Sequence, residues 1–125
     1  MSWASITKAL VAGVRTDLQK QCGTKVPDNV ETLHEFIRLA RGPGTDDLTT
    51  DAPLIDVECF SDDYGTAEAL AETVRQWFHG LIGRRINGVL IDKVRTATSP
   101  EWLDYRNPGT NRFVASYRLE YRQSN

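Results

Sequence analysis

The sequence predicts an α+β fold: a mostly antiparallel four-stranded sheet with an N-terminal helix and one long amphipathic helix packed on it. Three patterns predict it. Residues Leu54 to Phe60 and Phe113 to Arg122 alternate apolar and polar side chains, the period-two rhythm of a sheet wet on one side. Between them, Ala67, Leu70, Ala71, Val74, Phe78, Leu81 and Ile82 recur at steps of three and four, the stripe of a helix lying on that sheet. A second such stripe, Ile6, Leu10, Val14 and Leu18, opens the chain.

That opening stripe predicts a helix from Trp3 to Gln21, capped by Ser2 or Ser5 and closed at Gly23. Pro27 has no amide proton and drives Val26 away from helix, so the residues around it read as an extended turn. Thr32 to Arg41 reads as a strand that contains His34 and ends at Gly42-Pro43-Gly44. Gly42 to Asp51 then forms an acidic loop too long for a tight hairpin, of the length at which loops commonly carry function. In the strand that follows, Ile55, Val57 and Cys59 face one way and Asp56 and Glu58 the other.

The long helix runs from Tyr64 to Ile82, capped by Asp62 or Asp63 and ended by Gly83. A strand follows from Gly88 to Thr96, and a second long loop from Thr98 to Thr110. The last strand sets Phe113, Ala115, Tyr117, Leu119 and Tyr121 against Val114, Ser116, Arg118, Glu120 and Arg122. No repeat or linker interrupts the series, so residues 1–125 read as a single domain.

Composition narrows the function classes. A 125-residue chain hides roughly two-thirds of its unfolded surface and needs no metal or disulfide staple. Two cysteines, Cys22 and Cys59, are too few for a secreted disulfide framework, and no signal-peptide pattern or membrane-length apolar run is present. The expected site of synthesis is the cytoplasm, with no membrane partner.

His34 and His79 have no His or Cys at ligand spacing, and the aspartates around Asp46 lack the alternation and closing Glu of a calcium loop. Gly42-Pro43-Gly44-Thr45 is not followed by Lys-Ser/Thr, which removes the phosphate cradle. The aromatics of the last strand share a face with Ala115 and Leu119, so they read as core rather than as a base-stacking platform. The reading is therefore of a non-enzymatic building block with no cofactor and no metal.

The net charge of −2 conceals an asymmetry: residues 1–27 carry +3, residues 28–72 carry −10, and residues 73–125 carry +5. Such segments neutralise one another within a fold or meet between neighbouring copies.

Several runs together resemble the tail terminator proteins of long-tailed bacteriophages. They are Phe36-Ile37-Arg38-Leu39-Ala40-Arg41-Gly42, the strand Asp51 to Cys59, and Ala67 to Phe78. Pro100, Asp104-Tyr105 and Arg112 to Tyr121 fit the same template, and the likeness extends from about Ile6 to Arg122. It lies in order, length and hydrophobic rhythm rather than in an invariant signature.

The resemblance implies a structural virion protein, assembled in the host cytoplasm. In that role it forms a homo-oligomeric, hexameric ring on the head-proximal end of the tail, stopping tube growth and giving the head a surface for joining. Its partners would be itself, the tail tube protein, a head-completion or neck protein and the tape-measure protein, with genome DNA passing through without specific binding. The expected contact residues are Gly42, Gly44, Asp46, Asp47 and Asp51, on a rim or in the bore, and Trp102, Asp104, Tyr105 and Arg106 at an interface. The alternatives are another neck protein, for tail completion or head closure, and a small ferredoxin-like module that binds a ligand or nucleic acid.

Overall fold

In the computed structural model, which describes residues 5–46 and 51–123, two helices pack on one face of a curled, half-barrel sheet. Helix α1 spans Ile6–Asp17, followed by strand β1, Cys22–Gly23, and a single 3-10 turn at Val30–Thr32. Strands β2, Glu35–Asp46, and β3, Asp51–Ser61, lead into helix α2, Tyr64–His79. Strands β4, Arg85–Ile86, β5, Val89–Trp102, and β6, Asn111–Gln123, complete the chain. The sheet has six strands in the order β1-β2-β3-β6-β5-β4. Every neighbouring pair is antiparallel except β1 with β2, which is parallel.

The four expected strands form the centre of this sheet, and β1 and β4 add an edge strand on each side. Both are two residues long, too short for periodicity to reveal. A stronger sequence signal existed for β4. Asn87-Gly88 joins it to β5 with both residues at positive φ, 45° and 89°, the two-residue turn whose twist matches a hairpin.

Several boundaries differ from the sequence reading, each for a local reason. Helix α1 stops at Asp17 rather than Gln21, because Gln19 adopts a left-handed φ of 55° and Gly23 belongs to β1. It starts at Ile6 rather than Trp3, and of the two candidate caps Ser5 is the one used, its Oγ accepting the Lys8 amide at 3.2 Å. The expected strand from Thr32 begins instead at Glu35, with Thr32 in the 3-10 turn and His34 just ahead of the strand.

Gly42, Gly44 and Asp46 are not in a loop. Strand β2 continues through them with a register shift between Gly42 and Thr45, and Asp51 opens β3, so the acidic segment is the upper part of a β-hairpin. An extra residue in one strand lets a ladder absorb glycine and proline without ending, which the composition alone does not reveal. Helix α2 closes at Gly80 rather than Gly83, and Asp63 caps its start by accepting the Thr66 amide at 2.9 Å. Strand β5 passes through two further irregularities to Trp102, which leaves only Leu103 to Thr110 of the expected second loop.

The helix-bearing face is the core. Ile37 and Leu39 of β2, Ile55, Val57 and Cys59 of β3, and Phe113 to Tyr121 of β6 meet Leu70, Val74 and Phe78 of α2 in one buried cluster. Phe78 lies flat on Tyr117, ring centroids 4.6 Å apart and 16° from parallel.

Helix α1 touches β1 and β2 at one edge of the sheet and β4 at the other. The curl brings those edges toward each other, and α1 lies across the opening. Three contacts hold it there. The Asn87 side-chain amide donates to the Ala9 carbonyl at 3.3 Å, the Trp77 indole N–H donates to Asp17 Oδ2 at 2.8 Å, and Arg84 pairs with Asp17 at 3.2 Å.

Candidate assembly surfaces

The face away from the helices is polar, and its charges form rows across the strands. Glu58 of β3 accepts from Arg38 of β2 at 2.5 Å and from Arg112 of β6 at 3.0 Å. Further along, Lys93 pairs with Glu120 at 3.6 Å, and Arg122 grips both oxygens of Asp92 at 3.0 and 3.1 Å. A groove of about 360 Å³ runs over the Glu58 row, walled by Asp56, Thr98, Leu103, Val114 and Ser116.

The sequence-predicted contact residues separate into two places. Gly42, Gly44 and Asp46 lie on β2 and Asp51 on β3, with Asp46 and Asp51 directly opposed at the top of the hairpin. Asp47 lies outside the described residues. A Cβ at Gly42 would come within 2.7 Å of Asp56 Oδ2, so a larger residue there requires that carboxylate to turn aside.

At the opposite end of the strands are Trp102, Asp104, Tyr105 and Arg106, and they do not act as one surface. Tyr105 folds down against Phe60, ring centroids 5.1 Å apart, into a small second cluster with Val30 and Phe36. Arg112 holds the loop from below by donating to the Asp104 carbonyl at 2.7 Å, and its guanidinium and that of Arg106 both lie over the Tyr105 ring. Trp102 and its neighbour Leu103 stay 42% and 41% exposed. Sequence reasoning missed Tyr64, which is 49% exposed and packs edge-on against Phe113, the cross-strand partner of Trp102. Two exposed aromatics thus flank one buried ring at the end where α2 begins.

Among the described residues, no group of three or more His, Cys, Asp or Glu is placed to hold a metal, and no helix is long and apolar enough to cross a membrane. His34 and His79 are exposed and bonded to Asp62 and Thr96. Burial pushes the Cys22 thiol up to about 11 and the Cys59 thiol higher still, which leaves both protonated and unreactive at neutral pH.

Among solved structures, the chain matches one from the virion of a native gene transfer agent particle, with a TM-score of 0.58. The fold is shared with a virion chain. The alignment covers 95% of this chain and 87% of that one, at 15% sequence identity. No protein-family profile matches the sequence, and no curated protein matches it.

Proposed function

We propose that this protein is a structural component of a phage-like virion, and within it a tail terminator. It forms a ring of identical subunits, six by the resemblance, on the head-proximal end of the tail. There it ends polymerisation of the tail tube and presents the surface that joins the head. The observation that carries this reading is the fold shared with a gene transfer agent virion chain over nearly the whole length of both chains. The order of strands and helix along the sequence supports it.

A closed ring needs two different complementary patches on each subunit. The exposed Tyr64, Trp102 and Leu103 are of the residue types that anchor interface centres, whereas the charged rows offer a polar surface. In this reading the hairpin top bearing Asp46 and Asp51, with Asp47 beyond the described residues, lies on a rim or in the bore. Carboxylates there would keep passing DNA from being gripped.

The ferredoxin-like alternative loses support, because three strands precede α2 and three follow it, without the β-α-β-β-α-β alternation of that fold. Another neck protein remains the competing role.

The test is deletion of the gene in its own particle, followed by electron microscopy of tail lengths. Tails that overgrow and fail to join heads are the expected result. Normally sized, head-joined tails would end the proposal.

A further inference from the structure

Across β5 and β6, Arg95 and Arg118 stand directly opposite each other on the helix-free face. Side chains so placed have Cβ atoms about 5 Å apart, and like charges there are destabilising. Most other bases on this face have an acid in contact: Arg38 and Arg112 share Glu58, Lys93 has Glu120, and Arg122 has Asp92, while Arg85 of the edge strand β4 has none among the described residues. Arg118 is half-buried and donates one N–H to the Ala52 carbonyl at 3.2 Å, and no carboxylate among the described residues pairs with it. Arg95 is exposed and has no hydrogen-bond or ion-pair partner among the described residues. An open cavity of about 230 Å³ is lined by Arg95, Thr96, Ala97 and Arg118. Thr96 holds its hydroxyl 2.7 Å from His79 Nε2.

We infer that this pair is a seat for a carboxylate carried by a second copy of the chain. An anion placed between the two arginines removes the repulsion the isolated subunit tolerates. Planar guanidinium forks also match a carboxylate in two-point geometry. The alternative anion is a phosphate of duplex DNA, but DNA binding needs several free bases in a track. Here Arg38, Arg112, Lys93 and Arg122 are already neutralised and Arg85 stands apart on the edge strand, which leaves isolated positions rather than a track. The chain as a whole has 17 acids against 15 bases, so a second copy supplies carboxylates while the overall charge disfavours a polyanion. The inference rests on the ring reading above and names one of its contacts.

The experiment compares the full-length protein with Arg95→Gln and Arg95→Lys. Self-association is measured by sedimentation velocity, alone and on purified tail tubes. Thermal unfolding is followed in parallel, and binding of a fluorescent 20-base-pair duplex is measured at low salt. Arg95→Gln is expected to unfold at the same temperature or higher, since a repulsion is gone, yet to associate about tenfold more weakly, with Arg95→Lys between the two. Wild-type rings matched by equally tight Arg95→Gln rings would remove the seat and leave the ring standing. A wild type that neither self-associates nor assembles on tubes would remove the ring as well. Duplex binding lost on substitution while association is unchanged would assign the seat to phosphate and overturn the inference.

Discussion

Gly13 lies where α1 crosses the rest of the molecule. A Cβ at this position would fall 2.5 Å from Ile86 Cδ1 and 2.9 Å from Trp77 Cζ2. The isoleucine tip can turn aside, but the indole is edge-packed on Phe78 and bonded to Asp17, so it has little room to move. Alanine is a better helix former than glycine by about 1 kcal/mol, whereas overpacking a close contact costs about 1–3 kcal/mol. Gly13→Ala should therefore lower stability by up to about 2 kcal/mol despite the gain in helix propensity, measured as a fall in the urea midpoint at unchanged slope. The same substitution on a solvent-facing position of α1 would stabilise. The sign at residue 13 thus reports that the crossing is tight.

At the scale of elements, Asp17 fastens the last turn of α1 to α2 and to the turn beyond it. Its carboxyl is held below the ordinary aspartate range, first by the indole N–H of Trp77 and then by the charge of Arg84. A depressed carboxyl contributes stability that is fully present above its unfolded pKa and is lost as pH falls through the folded one. Denaturant unfolding from pH 7 downward should show that loss below about pH 4, the region of an unfolded aspartate. Asp17→Asn should be less stable at pH 7 and nearly equal to wild type at the acid end, so the two curves converge. Curves that stay parallel would show that the carboxyl does not fasten the helix.

For the whole molecule, α1 is the piece that spans the opening of the curled sheet. Ile6, Ala9, Leu10 and Val14 are all under 5% exposed, and their neighbours come from both edges of the sheet. Ile6, Leu10 and Val14 each stabilise by about 1.5–3 kcal/mol when buried, and a domain's net stability is only about 5–15 kcal/mol. Removal of residues 1–17 should therefore abolish cooperative unfolding and expose apolar surface, read as dye binding and loss of near-ultraviolet dichroism. A truncated chain with a sharp thermal transition would mean that the sheet and α2 suffice.

The apolar rhythm by itself determined the two helices, the four central strands and the inward set of β6, because a period of two or near four is a local property that burial on one face imposes. It also narrowed the caps to Ser2 or Ser5 and to Asp62 or Asp63, since capping is a matter of a few adjacent residues, and the structure selects Ser5 and Asp63. Tertiary structure decided the rest. Glycine and proline at 42–44 read as a loop, yet pairing with β3 carries the strand past them. Two-residue strands exist only because a neighbour pairs with them. Trp102 and Tyr105 look alike in sequence, but Phe60 buries one while the other stays in water. The opposition of Arg95 and Arg118 depends on register shifts in β5, and register is set by contacts across strands that no single stretch of chain contains.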